Sequence, residues 1–415
     1  MRELYHKFTA LEQRDHPCPP IEKKGLTMQQ LELFATAAFG VESAVVRELK
    51  HLGYRDTRTD NGRIYFTGDY EAICRTNLSL RCAGRVYVLI GRFEARTFDD
   101  LFEGTKALPW EEWLPKDAEF PVTGNCVKST LMSISDCQSI IKKAVVERLK
   151  KTYSLKIFPE TGPRFKIEFN ILNDVVTLAI DTSGDSLHKR GYRSLAYSAP
   201  VKETLAAAML MISRWTPGRP LIDPFCGSGT IPIEAAMMVR NIAPGLERNF
   251  DSQAWPLIPQ SVWNRAIEEA RSLIRPPDEG IAIHGYDISP DAISIAQYHA
   301  RQAGVQDSIH LQARDVADLS SRIKYGFIVT NPPYGERIGE KNENIRLYKT
   351  MSEVFRRLDT WSFYILSADP QFERFFGRKA DKNRKLFNGG LLCYYYQYFG
   401  PKPNRSEKED MRNEK

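Results

Sequence analysis

From about residue 200 to residue 400 the chain alternates apolar, strand-like runs with helical patterns. This alternation limits the fold more than any other feature. Strands are expected at 220–224, 282–287, 308–313, 326–330, 361–367 and 391–399, with helices between most of them. Parallel strands need long crossovers, so such a chain folds as an α/β protein with a doubly wound, Rossmann-like sheet covered on both faces. Sheets of this kind bind ligands beyond the C-terminal ends of their strands. The residues at those ends therefore carry the functional reading.

The first strand end runs into LIDPFCGSGTIPIEAA (221–236). Gly227-Ser228-Gly229 gives a tight turn into a helix near Thr230, where backbone can approach a ligand and helix N–H groups attract an anion. A dinucleotide fingerprint needs a third glycine, and a phosphate loop needs a lysine. Both are absent, so NAD and ATP fit poorly. Asp223 suits an ammonium group instead. Asp287, followed by Ile288, ends the next strand and suits a ribose diol. Asp315, followed by Val316, ends the third and suits an adenine amino group. A strand-end Asp is also an ordinary helix cap, but the order, strand by strand, describes a ligand with an amino acid, a ribose and an adenine. That ligand is S-adenosylmethionine. Phe225, Cys226, Gly227, Ser228, Gly229 and Thr230 complete the expected cofactor loop, with Cys226 read as a small packing residue. Lys202, Glu203 and Thr204 are read either as cofactor contacts or as the start of a capped surface helix.

At the fourth strand end stands TNPPYGERIG (330–339). Pro332 and Pro333 forbid helix and central strand, and Asn331 before them is driven toward extended geometry. The result is a stiff corner with an amide on one side and the ring of Tyr334 on the other.

These residues carry a resemblance. DPFCGSGT resembles the cofactor loop of class I S-adenosylmethionine-dependent methyltransferases, and NPPY resembles the signature of enzymes that methylate adenine N6 or guanine N2. ATAAFGVESAVVRELKHLGY (35–54) resembles the N-terminal ferredoxin-like segment of RNA methyltransferases of the RlmL type. Residues 72–182 are similar to a THUMP RNA-binding module, and LHKRGYR…APVKETLAAAML (187–210) resembles the lead-in to that family's catalytic domain. The resemblance implies that Asn331 and the Pro332 carbonyl accept from the exocyclic amine of a target base, that Pro333 stiffens the corner, and that Tyr334 stacks on the base. Asn331 also borders the cofactor. The implied substrate is guanine in 23S ribosomal RNA. Adenine N6 in RNA or DNA, and a non-catalytic assembly factor with a vestigial cofactor fold, are the competing readings.

The expected divisions are a polar tail (1–30), a ferredoxin-like segment (31–71), the THUMP module (72–182), the methyltransferase domain (183–400) and a charged tail (401–415). DTSGDSLHKRGYR (181–193) reads as a linker. Net charge is +6, and two clusters each hold six positive residues against one negative: 142–156 and 374–385. Such patches fit a polyanion or a solvated face. Lys142, Lys143, Lys150 and Lys151 are the RNA-binding candidates. Seven cysteines without C-x-x-C, and seven scattered histidines, argue against a disulfide framework and a metal site. With no long apolar stretch and no signal-peptide core, the expected location is the cytoplasm.

Overall fold

A computed structural model describes residues 30–403, apart from 156, 196–200, 278–279, 281 and 335–337. The expected disordered tails lie almost wholly outside the described residues.

The N-terminal half forms one seven-stranded sheet, built from β1 (Leu31–Thr36), β2 (Thr57–Asp60), β3 (Arg63–Gly68), β4 (Val86–Glu94), β5 (Val122–Val127), β6 (Ile167–Leu172) and β7 (Val175–Asp181). Its order is β2-β3-β1-β4-β7-β6-β5. Helices α1 (Glu42–His51), α2 (Tyr70–Ser79), α3 (Phe98–Lys106) and α4 (Ile134–Tyr153) accompany it. The antiparallel β4–β7 pairing joins what the sequence presents as two modules into a single ladder. β2, TRTD, was not expected as a strand. It is a half-exposed polar edge with no apolar alternation to reveal it.

The C-terminal half holds α5 (Glu203–Ser213), β8 (Leu221–Asp223), α6 (Thr230–Val239), α7 (Gln260–Ser272), β9 (Ile283–Asp287), α8 (Pro290–Gln302), β10 (His310–Ala313) and β11 (Phe327–Thr330). It continues through α9 (Ile338–Arg356), β12 (Ser362–Ser367), α10 (Phe372–Phe376), β13 (Lys382–Asn388) and β14 (Leu391–Tyr398). Its sheet runs β10-β9-β8-β11-β12-β14-β13, parallel except for the last two pairings. Strand order reverses between the parallel neighbours β8 and β11, which makes their C-terminal ends the crevice of the sheet.

Strand alternation sends side chains to two cores. Leu221, Phe327, Val329, Tyr364, Leu366 and Tyr395 pack with α5 and α6. Ile222, Ile328, Phe363, Ile365, Tyr396 and Tyr398 pack with α9 and α10. The first core is continuous with that of the N-terminal sheet. The segment 181–193 is not the free linker expected from its polarity. Asp181, Thr182, Ser183, Leu187 and Arg190 are buried, and Thr182 is bonded by both Asn77 and Ser252. Its polar groups are satisfied by the two halves it joins, which is why burial is tolerated.

A second contact between the halves is made by Gly40, just before α1. Arg384 of β13 donates to the Gly40 carbonyl at 2.9 Å and to Ser43 Oγ at 3.3 Å. Gly40 has φ +84°, and a Cβ there would sit 2.4 Å from the Lys385 carbonyl oxygen. Gly40→Ala combines left-handed strain with a backbone clash. It is expected to cost about 1–3 kcal/mol in urea unfolding, and a change within 0.5 kcal/mol would show that the contact yields freely.

Candidate active site

The sheet brings the four sequence-marked strand ends side by side, because β10, β9, β8 and β11 are neighbours in that order. Asp223 ends β8 and is 1% exposed. Its Oδ1 accepts from Thr330 Oγ1 at 2.6 Å and from the Phe225 N–H at 3.2 Å. Thr330 ends β11, so this bond ties the cofactor-loop strand to the strand that presents Asn331. Sequence reasoning quoted Thr330 as part of the motif without giving it this role.

The loop after Asp223 is shaped by two glycines, Gly227 at φ 52° and Gly229 at φ 85°. A Cβ on Gly229 would lie 2.9 Å from the Ala296 Cβ of α8, so only glycine lets the turn close onto that helix. Asp287 Oδ2 accepts from the Gly227 N–H at 3.0 Å and Oδ1 from the Ser289 N–H at 2.9 Å. Each carboxylate oxygen keeps a lone pair beyond these bonds. Ile288, beside it, is 71% exposed although apolar. Asp315 caps a short 3-10 turn through Ala317 N–H at 2.9 Å, as a plain capping residue would, while Val316 is buried. Cys226 is buried and packs against the position of Gly285. Burial pushes its thiol well above the usual range, so it stays a neutral packing group. Phe225 is half-buried against the second core, and Thr230 opens α6.

Among the described residues, Ser228 Oγ and Asn331 Oδ1 are buried polar atoms here with no partner. An unpartnered buried acceptor costs about 1–3 kcal/mol, so it marks a place where a ligand donor fits. The Asn331 side chain also interacts with the Tyr334 hydroxyl. Pro332 is buried and Pro333 exposed. Tyr334 is half-buried, and its hydroxyl accepts from Asn388 Nδ2 at 3.3 Å. Burial pushes that hydroxyl up to about 12, so Tyr334 remains a neutral ring and phenol. Asn388 was missed because it lies 54 residues away on β13 and carries no local signal.

Lys202 is exposed and Thr204 half-buried. Glu203 is not on a surface helix face. It is buried and paired with Arg193 at 3.1 Å, with Oε2 unpartnered among the described residues. The lysines of α4 lie on the other sheet. Lys142 is engaged by Glu160 at 2.7 Å and lies 3.5 Å above the Phe120 ring, and Lys150 pairs with Glu147 at 2.8 Å. Lys143 and Lys151 are exposed. Among the described residues no cluster of His, Cys, Asp or Glu is arranged to hold a metal ion, and no helix is long and apolar enough to cross a membrane.

Burial pushes the Asp223 carboxyl up to about 7, with the Thr330 and Phe225 bonds opposing and Asp287 adding. The folded value lies above the unfolded one, so the neutral acid stabilises the fold below about pH 4, and this is lost as pH rises to about 7. The full loss is on the order of 4 kcal/mol. Asp223→Asn is expected to remove that slope in ligand-free protein, read as a Tm difference from wild type that grows between pH 4.5 and 7.5. A constant difference would mean that Asp223 is ionised throughout. A cation seated on the carboxylate reverses the penalty.

A doubly wound sheet with an acidic, glycine-turned cofactor loop and an amide-proline corner at adjacent strand ends defines a methyltransferase. The RMKL-like methyltransferase domain matches residues 190–397, the RlmL ferredoxin-like domain residues 32–87 and the THUMP domain residues 95–181. The chain is 46% identical over 92% of its length to the whole of "Putative RNA methyltransferase YpsC" of Bacillus subtilis (strain 168). It is 34% identical over 88% of its length to the ribosomal RNA large subunit methyltransferase K/L of Shewanella frigidimarina (strain NCIMB 400), and spans about half (52%) of that protein. Two solved structures share its architecture. One is "a predicted N6-adenine-specific DNA methylase" from Listeria monocytogenes str. 4b F2365, 49% identical, with TM-score 0.86 over 90% of this chain and 97% of that one. The other is "SMU.472, a putative methyltransferase complexed with SAH", 42% identical, with TM-score 0.85 over 91% of this chain and 100% of that one. The chain therefore belongs to the RMKL-like methyltransferase family, with ferredoxin-like and THUMP domains ahead of its catalytic domain.

Proposed function

We propose that this protein transfers a methyl group from S-adenosylmethionine to the exocyclic N2 of a guanine in 23S ribosomal RNA. The observation that carries the reading is the buried, unpartnered Asn331 Oδ1 at the strand end beside the Asp223 loop. The THUMP domain supports RNA, and the K/L relative, named for the large ribosomal subunit, supports this RNA in particular. The complex of the SMU.472 protein with SAH supports the cofactor. A ribosomal substrate supports a cytoplasmic location.

The residues fit the cofactor. Asp223 would hold its ammonium, the loop Phe225–Thr230 its amino-acid end, Asp287 its ribose, and Ile288, Asp315 and Val316 its adenine. When bound, it supplies an electrophilic methyl group on a sulfonium. The chain then has to orient a weak nucleophile, because the lone pair of an exocyclic amine is delocalised into the base. Asn331 Oδ1 and the Pro332 carbonyl would accept hydrogen bonds from the amine and favour a lone pair directed at the methyl. The prolines fix both acceptors before the base arrives, which is preorganisation. Tyr334 stays neutral and offers a ring, worth about 1–3 kcal/mol per stacked base. Methyl transfer makes the amine strongly acidic, so its proton is lost to water without a dedicated base. A base in a stem must first be flipped out.

Purified protein with methyl-labelled S-adenosylmethionine and ribosomal RNA from a strain lacking the gene is expected to yield labelled N2-methylguanosine. Label in N6-methyladenosine would replace this reading with the second one, which the name of the Listeria structure favours. No label, with no cofactor bound, would restore the non-catalytic reading.

A further inference from the structure

The second basic cluster, 374–385, has no part in the site described above. The structure turns it into α10 and β13, ending in a hairpin whose tip is Gly389-Gly390. β13 was not expected as a strand, because its charged residues hide the alternation. Along it Leu386 is fully buried while Lys385 and Phe387 are exposed. Residues two apart share a face, so Lys385 and Phe387 point the same way. Phe387 meets Phe39 of the ferredoxin-like domain edge to face, with ring centroids 6.1 Å apart at 84°. Phe387 is 37% exposed and Phe39 is 61% exposed. An edge contact engages one ring face at most, so aromatic surface remains in water.

Single exposed apolar residues are ordinary. Here two domains bring two rings together, and the joint is fixed by the Gly40 approach and the Arg384 bonds. The next residue along β13, Asn388, holds the Tyr334 hydroxyl. Asn388 points to the opposite face of β13 from Phe387, so the pair stands at the same strand end as the base-binding corner but across the hairpin from it, with a lysine on its own face. A target base drawn into that corner leaves its neighbours unstacked. Unstacked bases seek aromatic faces, and their phosphates seek cations.

We propose that Phe39 and Phe387 are the stacking platform for the RNA nucleotides that flank the target base, with Lys385 on their phosphate. This rests on the RNA reading above. Neither ring would touch the reacting atoms, so both are positioning residues.

The test measures methylation of ribosomal RNA from the deletion strain, and binding of a fluorescein-labelled single-stranded RNA oligonucleotide by anisotropy. Phe39→Ala with Phe387→Ala is expected to raise the KM for RNA and the oligonucleotide Kd by about 10-fold or more. At saturating RNA, kcat should stay within threefold, and cofactor affinity should be unchanged. Tryptophan at both positions should restore binding, which a merely structural role would not allow. Lys385→Ala should lower the salt slope of binding by about one. If wild type methylates RNA and the double variant keeps its KM and Kd within twofold, the platform is wrong and the proposed function stands. A change of oligomeric state without loss of RNA affinity would assign the rings to a second copy of the chain and overturn the platform. If wild type neither binds nor methylates RNA, the proposed function fails, and the platform with it.

Discussion

Asn331→Ala is expected to slow methyl transfer by about 10²–10³-fold, the range for removing one preorganised polar group aimed at a reacting centre. Cofactor affinity should change by less than threefold. The reason is the state of one atom. Asn331 Oδ1 is buried and has no partner among the described residues, so a ligand donor would gain a bond there that folding does not use. Truncation removes an acceptor needed when the amine rehybridises, while Asp223 and the glycine loop remain intact. Stability should therefore hold or rise slightly. Asn331→Asp keeps an acceptor at the same reach and should lose less. The measurement is single-turnover transfer from labelled cofactor, with calorimetry for cofactor binding. A rate within fivefold of wild type would remove Asn331 from the chemistry, and a loss explained by cofactor affinity would make it a binding residue only.

The largest effect on stability is expected at Glu234. Its carboxylate faces Arg190 with Oε1 to Nε at 3.3 Å and Oε2 to Nη2 at 3.5 Å, and the Tyr192 hydroxyl donates to Oε1 at 3.3 Å. The two side chains are 0% and 2% exposed. Arg190 also donates to the carbonyls of Leu187 and Arg81. Arg81 lies in the connection between α2 and β4, and Glu234 lies in α6, so the guanidinium joins the two halves of the protein. Glu234→Ala removes the carboxylate bonded to this buried cation and leaves only the more distant Glu48 and Glu203 to offset its charge, and breaking such a pair costs about 3–5 kcal/mol. Glu234→Gln keeps an acceptor and should cost distinctly less. Urea unfolding of both variants checks this. A loss below 1 kcal/mol in Glu234→Ala would show that the two carbonyls, with the charges of Glu48 and Glu203, satisfy Arg190 without it.

Sequence reading reached the class of fold and the strand-end motifs further than the pairing around them. Local patterns carried the strand–helix alternation, the glycine turn at Gly227 and Gly229, and the proline corner at Pro332 and Pro333. Each of these depends on residues close together in the chain, where sterics and φ restrictions act directly. The strand ends at Asp223, Asp287, Asp315 and Asn331 lie at one edge of one sheet, as alternation requires.

Long-range pairing was not legible. β13 reads as a basic patch, KNRKLFN, because both of its faces carry charge, which hides the alternation, and its strand character comes from the pairing with β14. The segment 181–193 reads as a linker because its polarity is visible and its partners, Asn77, Ser252 and Glu234, are not. Lys142 reads as a free cation until Glu160 and Phe120 close on it.

The sequence by itself therefore determined the class of sheet and the types of residue at its catalytic edge. Only the tertiary structure decided which of their atoms are satisfied. Thr330 occupies one oxygen of Asp223, Asn388 holds Tyr334, and Asn331 Oδ1 is left open. Hydrogen-bond satisfaction is a property of what is near in space, and the partners here stand 107 and 54 residues apart in the chain.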